Sequence, residues 1–185
     1  KISRLLVYLF TKTTCNQLMK YIIIFIFVAV YVFGDLRLGY TSCSAWWTHI
    51  TYMFQHAGWM HLLLNSLAFL GIFRALESYY NRWLILGVAV VISFVCSFGS
   101  MYDRPTVGAS SMIYAMTGIY VAFTLLHDNV ATIDRRRYAV YLLSLALCLT
   151  VSFFKQSSNF FLHIYCLLSG FCVFGLVAIF GNRKN

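Results

Sequence analysis

Long apolar runs, separated by short polar segments, dominate the pattern of hydrophobic and polar positions along the chain. Six of these runs have about the length of a membrane-crossing helix, and their apolar residues are continuous rather than alternating. The runs cover approximately residues 19–34, 61–78, 83–99, 110–126, 138–154 and 160–180. The pattern therefore predicts an all-α, polytopic membrane protein built as a bundle of six transmembrane helices.

The first 18 residues have a different pattern, with basic residues, no acid and apolar residues at helical spacing. We predict that residues 1–18 form a basic amphipathic helix on the cytoplasmic membrane surface. A secretory signal peptide is the alternative, but its apolar core, Leu5–Phe10, is shorter than the usual roughly 7–15 residues. Residues 19–181 are then the membrane domain, and residues 182–185 are a short basic cytoplasmic tail.

Composition supports this class of protein. Hydrophobic residues make up 61% of the chain and charged residues only 10%, whereas a soluble domain has about 25% charged residues. This composition excludes a soluble globular domain, a disordered chain and a disulfide scaffold. The six cysteines lack metal-ligand spacing, and no nucleotide or haem motif occurs, so we expect no cofactor and no metal. The net charge of +9 is assigned to cytoplasmic loops, and we expect no nucleic-acid partner.

The distribution of Lys and Arg predicts the orientation. Six spans place both termini on one side, and ten basic residues fall on that side, against three on the other. The ten are Lys1, Arg4, Lys12, Lys20, Arg82, Arg135, Arg136, Arg137, Arg183 and Lys184, and the three are Arg37, Arg104 and Lys155. Because cytoplasmic loops carry the excess of basic residues, we expect both termini in the cytoplasm. We expect the protein to be multi-pass in a bacterial inner membrane.

Five polar side chains share one depth in this topology, below the outer surface. They come from three helices and are His56, His61, Asn65, Ser110 and His163. Polar groups are costly within a membrane and tend to face the bundle interior, so a common site is predicted. A Ser hydroxyl becomes a nucleophile when a base takes its proton, and His is the usual base. The helix that starts near Ser110 also offers unpaired N–H groups to a developing oxyanion.

Each of these residues also has a purely structural interpretation. Ser110 and Ser111 can cap a helix, and His163 can be a hydrogen-bonded core histidine. His56 and His61 can be interfacial residues, and His49 is interpreted as one. None of the five acids lies in the middle of a span, and no HExxH motif occurs, which argues against aspartyl and zinc intramembrane proteases. A Ser-His dyad is the remaining catalytic arrangement, since Asp103 would have to reach the site from a flexible loop.

The segment from about Trp46 to Gly175 resembles the rhomboid family of intramembrane serine proteases. The sequence from His56 to Asn65 is similar to the HxxxxHxxxN pattern of that family, and Gly108-Ala109-Ser110 is similar to its GxS motif. Further matches with the family's spacing follow both motifs and surround the second histidine. They are Glu77 after Asn65, Tyr114 and Gly118 after Ser110, and His163 with Gly170.

The resemblance implies roles for these residues. Ser110 would be the nucleophile and His163 the general base, and Ser110 is chosen over Ser111 by its spacing to Tyr114 and Gly118. Tyr114 would pack against the His163 ring. The remaining residues would support an oxyanion or the outer loop around the site, with Asn65 and His61 as donors. These supporting residues are His56, His61, Asn65 and Gly108.

The sequence departs from the family pattern at Ser111 and Cys166, where the family has glycines, and at Thr48, where it has Arg. The predicted function is a serine endopeptidase that cleaves bonds in or near transmembrane segments of single-span membrane proteins in the lipid bilayer. The alternatives are an inactive rhomboid-like protein that binds such segments and a small transporter or channel. The sequence predicts neither the substrate's identity nor the oligomeric state.

Overall fold

The computed structural model describes residues 2–100, 102–126, 135–155 and 158–181. Within them the chain is helical apart from one isolated β-bridge between Tyr40 and Thr106. The helices are α1 (Ile2–Phe33), α2 (Thr48–Thr51), α3 (Trp59–Leu76), α4 (Arg82–Phe98), α5 (Ser110–Leu126), α6 (Arg135–Phe154) and α7 (Phe160–Gly181). The all-α prediction is confirmed, and the six predicted apolar runs overlap α1 and α3–α7, although α1 begins 17 residues before the first run.

Two of the predicted cytoplasmic segments fall mainly outside the described residues. The tail 182–185 lies wholly outside them, and so does the loop 127–134 between α5 and α6. The predicted surface helix, residues 1–18, belongs to α1, which continues through residue 19 to Phe33 without a break.

One helix in the described part of the chain is long and apolar enough, by length and composition, to cross a membrane. This helix is α3, with 18 residues, a mean hydropathy of 1.4 and 33% of its residues buried. The other apolar helical stretches are 17 residues or shorter. The outward faces of the helices carry large apolar side chains, among them Leu64, Val91, Val95 and Leu143. The surface of the bundle is therefore apolar where a soluble protein would be polar.

Helix α5 lies at the centre of the bundle and packs against α3, α4 and α7. Its contact with α7 is made by glycines on both helices. A Cβ atom at Gly118 would overlap the carbonyl oxygen of Leu167, and one at Gly170 would overlap that of Ala115. The two backbones therefore touch, as small residues allow in membrane helix pairs.

Three connections between helices meet at one end of the bundle. The N–H of Thr106, between α4 and α5, donates to the Tyr40 carbonyl oxygen at 2.9 Å. Asn159, just before α7, donates through Nδ2 to the Tyr40 hydroxyl at 3.1 Å and to the Ser100 carbonyl oxygen at 2.9 Å. These bonds tie the segments before α2, before α5 and before α7 to one another, so the starts of α5 and α7 are held together.

His49, which the sequence predicts to be an interfacial residue, is buried among other side chains. Its ring stacks on Tyr40 at 4.6 Å and on Phe98 at 4.1 Å between centroids. Its Nδ1 lies 2.8 Å from Ser97 Oγ, and burial lowers the pKa of His49. The segment carrying α2 folds over the end of α4, and this supplies the aromatic and hydroxyl partners that the sequence could not show.

A buried ionic cluster lies at the opposite end of the bundle. Lys20 of α1, only 6% exposed, bonds Glu77 Oε1 through Nζ at 2.5 Å, and Arg82 Nε bonds Glu77 Oε2 at 2.9 Å. A buried carboxylate needs such partners because an unpaired charge is costly to remove from water. Lys20 and Arg82, which the sequence assigned to one side, therefore lie together at one end of the bundle.

Candidate active site

A tight turn before α5 sets the direction of the Ser110 side chain. Gly108 has a φ of +125°, which favours glycine because other residues rarely adopt it. Its N–H donates to the Tyr52 carbonyl oxygen at 2.8 Å, which fixes the turn against the α2–α3 segment. Ser110 follows as the first residue of α5. Its hydroxyl is thus placed at a helix start, beside backbone N–H groups that have no intrahelical acceptor.

The structure brings Ser110 and His163 into hydrogen-bond contact. Ser110 Oγ lies 2.9 Å from His163 Nε2, and His163 is the fourth residue of α7. The His163 ring is 8% exposed and stacks on Tyr114 of α5, with 4.4 Å between centroids and 25° between planes. A hydroxyl at this distance from an imidazole nitrogen can pass its proton to that nitrogen. The pair has the geometry of a nucleophile and its base.

Ser111 has a different environment from its neighbour. Its side chain is buried, and its Oγ accepts a hydrogen bond from the Tyr52 hydroxyl at 2.9 Å. The Ser110 and Ser111 hydroxyls therefore bond to His163 and Tyr52, so the capping interpretation does not account for either. Of the two serines, only Ser110 lies against an imidazole.

Two side chains of α3 approach the turn from the other side. A Cβ atom at Gly108 would lie 2.7 Å from Cε1 and 2.9 Å from Nε2 of His61, and 3.1 Å from Asn65 Nδ2. Asn65 is 8% exposed, and its Nδ2 has no hydrogen-bond partner among the described residues. A buried amide with an unused donor, next to the N–H groups at the start of α5, can stabilise a developing negative charge.

His56 lies behind these donors in an aromatic pocket. Its ring centroid is 5.4 Å from that of Phe27 and 5.3 Å from that of His61. Only 2% of His56 is exposed, and neither ring nitrogen has a hydrogen-bond partner among the described residues. Burial lowers the pKa of His56 to about 4. The residue is thus a neutral packing partner of His61.

Sequence reasoning missed one side chain that contacts His163. Ser152 of α6 places its Oγ 2.8 Å from His163 Nδ1 and 2.7 Å from Ser158 Oγ. A single hydroxyl near the end of an apolar run gives no sequence signal, because its partner depends on how α6 is rotated against α7. Asn159 was also missed, although an Asn before a helix is a recognisable N-cap. Its Oδ1 accepts the Leu162 N–H at 3.1 Å.

The described acids are engaged elsewhere. Asp103 accepts a hydrogen bond from Ser42 Oγ at 3.2 Å, Asp35 accepts from the Arg37 N–H at 2.9 Å, and Glu77 belongs to the ionic cluster at the other end. In the described ranges, no three His, Cys, Asp or Glu side chains come together in a way that could hold a metal ion.

Comparisons with known proteins show the family to which the chain belongs. The family model for the rhomboid domain matches residues 43–180, which include α2–α6 and nearly all of α7. The chain is 28% identical over 150 residues to the "Putative rhomboid protease YdcA" of Bacillus subtilis (strain 168), a match covering 77% of this chain and 74% of that protein. It is also 28% identical over 143 residues to the "Rhomboid protease GluP" of the same organism, covering 75% of this chain but 27% of GluP. On the extent of the family match, this chain belongs to the rhomboid family and is a membrane protein.

Proposed function

We propose that the protein is an intramembrane serine endopeptidase, which cleaves peptide bonds in or near the transmembrane segments of membrane-protein substrates. The observation that carries the proposal is the 2.9 Å contact between Ser110 Oγ and His163 Nε2. The matches to two proteins named as rhomboid proteases support it. The Asn65 Nδ2 donor, which is unused among the described residues and lies beside the turn at Gly108 before Ser110 (the nucleophile turn), supports it as well.

In this mechanism, Ser110 Oγ attacks the carbonyl carbon of the scissile bond while His163 Nε2 takes the hydroxyl proton. The imidazolium then gives that proton to the nitrogen of the leaving amine, and the C–N bond breaks. Water then attacks the carbonyl carbon of the acyl-enzyme, and His163 takes a proton from the water and returns it to Ser110 Oγ. The ester bond breaks, and the carboxylic acid is released. Tyr114 stacks on the His163 ring and holds it in the orientation that both proton transfers require.

The oxyanion of each tetrahedral intermediate forms beside Gly108. Asn65 Nδ2, the Ser110 N–H and the His61 ring donate to it. His61 and Asn65 can approach because position 108 has no side chain. Donors fixed before the reaction need little reorganisation when the charge appears, and this is the main way such a site lowers the barrier.

The proposal includes six membrane-crossing helices, α1 and α3–α7. A stretch of 17 residues is about 26 Å long at 1.5 Å per residue, close to the ~30 Å hydrocarbon core. The ionic cluster of Lys20, Glu77 and Arg82 then faces the cytoplasm with both termini, and the loop end that holds Arg37 and Arg104 faces outward. The membrane is a bacterial inner membrane, and the dyad lies below its outer surface.

The substrates are single-span proteins with a helix that is weak near its outer end. A helix hides its carbonyl groups in its own hydrogen bonds, and unwinding it in lipid leaves those groups unsatisfied at several kcal/mol each. The polar groups around Ser110 can receive an unwound segment. Gly or Pro near the cleavage point lowers the cost of unwinding, so replacing the outer helical turns of a substrate by Leu reduces cleavage.

The test is cleavage of a model single-span protein by the purified protein in detergent, together with labelling by a fluorophosphonate. Wild-type protein cleaves and is labelled, whereas Ser110→Ala does neither. Ser111→Ala is the matched control, and it retains both activities while its thermal stability falls because Tyr52 loses a buried partner. A labelled, cleaving Ser110→Ala variant contradicts the proposal. A wild-type protein that is folded but inert in both assays is instead the inactive, segment-binding relative.

A further inference from the structure

His163 has a hydrogen-bond partner on each ring nitrogen, and the two partners come from different helices. Nε2 faces Ser110 of α5 at 2.9 Å, and Nδ1 faces Ser152 of α6 at 2.8 Å. Tyr114 covers one face of the ring. The Nδ1 side therefore has a specific side-chain partner that the proposed mechanism does not yet use.

The chemistry of a general base determines which nitrogen carries the proton. To take the Ser110 proton, Nε2 of the neutral ring must be unprotonated, so the ring hydrogen must be on Nδ1. An N–H at Nδ1 donates to Ser152 Oγ, and the Ser152 hydroxyl then donates to Ser158 Oγ at 2.7 Å. In the imidazolium state the same bond becomes charge-assisted and therefore stronger.

Burial makes this partner effective. Ser152 is 5% exposed, so water competes little for its hydroxyl. None of the described acids replaces it, since Asp35, Glu77 and Asp103 each have partners elsewhere. In a Ser-His-Asp triad a carboxylate occupies the Nδ1 side, holds the tautomer and stabilises the imidazolium. Here a neutral hydroxyl occupies that position.

We infer that Ser152 is a positioning residue of the protease, which fixes the Nδ1–H tautomer of His163 and supports its protonated state during turnover. The inference rests on the proposed function. It also assigns a role in the active site to α6, a helix from which sequence analysis drew no site residue. Because Ser152 is uncharged, its contribution is smaller than that of a triad carboxylate.

The kinetic test compares Ser152→Ala with Ser152→Thr and with Ser144→Ala on the cleavage of a model single-span substrate. Ser144 is the control, since it lies on the same helix, is exposed and donates to the Val140 carbonyl oxygen of its own helix. A hydrogen bond to a charged group accounts for a change of about 10- to 100-fold in rate. We expect Ser152→Ala to lower kcat by this factor with KM unchanged. Ser152→Thr keeps the hydroxyl and recovers most of kcat, and Ser144→Ala behaves as wild type.

A spectroscopic test reads the tautomer directly and does not depend on activity. The protein is labelled with ¹⁵N-histidine, and the His163 signals are assigned by their loss in His163→Ala. At a pH where the ring is neutral, wild type should have a protonated Nδ1 and an unprotonated Nε2, and Ser152→Ala should show a mixture of both tautomers. A wild-type ring protonated at Nε2, or an unchanged tautomer and kcat in Ser152→Ala, overturns the inference.

The two tests also separate this inference from the proposed function. If wild type cleaves no substrate, the proposed function fails, and the role of Ser152 in turnover fails with it. If wild type cleaves and Ser152→Ala has the same kcat, the proposed function stands and the role of Ser152 is rejected. If Ser152→Thr is as slow as Ser152→Ala with the wild-type tautomer, the effect comes from packing, and the inference is likewise rejected.

Discussion

The imidazole of His61 lies in the space that a side chain at Gly108 would need. A Cβ atom there would be 2.7 Å from His61 Cε1, and the same position would lie 3.1 Å from Asn65 Nδ2. The glycine also has a positive φ. The close approach of α3 to the nucleophile turn therefore depends on a residue that has neither bulk nor a preference for negative φ.

Gly108→Ala should lower kcat by about 100-fold or more, because a small displacement of catalytic groups has an effect of that size. The added methyl strains the backbone and pushes His61 and Asn65 away from Ser110. Substrate cleavage in detergent measures the loss. Gly58→Ala is the control, since Gly58 has an extended φ of 179°, and among the described residues no heavy atom beyond its chain neighbours lies within 4 Å of its Cβ position. Equal loss in both variants contradicts a specific role for Gly108.

Asn65→Ala should lower kcat by about 10²–10³-fold with little change in KM, the usual effect of removing one oxyanion donor. The reason is that Asn65 Nδ2 is buried, has no partner among the described residues and lies beside the Ser110 turn. Steady-state kinetics measure both constants. Ser66→Ala, at the next buried position of α3, should cleave as wild type does. Unchanged kcat with a raised KM assigns Asn65 to substrate docking instead.

Tyr114→Leu should lower kcat by about 3- to 10-fold, because it removes a ring stack that contributes about 0.5–1.5 kcal/mol beyond its buried area. The stack orients His163, with 4.4 Å between ring centroids. Tyr114→Phe keeps the ring and should retain kcat, which makes it the matched variant. If Tyr114→Phe lowers kcat as much as Tyr114→Leu does, the Tyr114 hydroxyl rather than the ring stack supports catalysis.

The stability of the protein should fall in acid, in part through His56. Burial lowers the pKa of His56 from an ordinary value near 6.5 to about 4 in the folded state, so the unfolded chain binds a proton more readily. The stabilising effect of keeping this ring neutral is complete above pH ~6.5 and is lost as the pH falls towards ~4. Midpoints of thermal unfolding in detergent, measured at several pH values, follow this dependence.

His56→Phe should flatten the acid dependence, since it keeps an aromatic partner for Phe27 but cannot be protonated. Burial also lowers the pKa of His49, so part of the acid sensitivity should remain in this variant. Identical pH profiles for wild type and His56→Phe argue against the assigned protonation state.

Gly170→Ala should destabilise the bundle by about 1–3 kcal/mol, the usual effect of overpacking a tight core. A methyl group at this position overlaps the Ala115 carbonyl oxygen, so α7 must move away from α5. Cleavage should fall as well, because His163 is on α7 and Ser110 on α5. Gly87→Ala is the control on α4: among the described residues no heavy atom from another helix lies within 4 Å of its Cβ position, and Ala is a better helix former. Both are measured by thermal unfolding, where Gly87→Ala should be neutral or stabilising.

Sequence reasoning predicted the helices because continuous apolar runs of this length are compatible with few structures other than a helix. It selected Ser110 and His163 because the motifs around them resemble those of the rhomboid family. It did not find Ser152, whose importance comes from the rotation of α6 against α7. It did not predict the burial of His49, because its partners Ser97 and Phe98 are distant along the chain. It assigned Lys20 and Arg82 to loops, whereas both bond a buried Glu77. Each of these differences depends on contacts between helices, which a pattern along one chain does not contain.

The glycine contacts between α5 and α7 have a consequence for the entropy of the proposed reaction. Since the backbones touch at Gly118 and Gly170, the helices that hold Ser110 and His163 have little freedom to separate. The entropy of bringing nucleophile and base together is therefore lost when the chain folds and not when substrate binds. The binding energy of the substrate can then offset the cost of unwinding its helix to expose a peptide bond. In the proposed protease, Ser110 and His163 would therefore be held in reactive geometry before any substrate arrives.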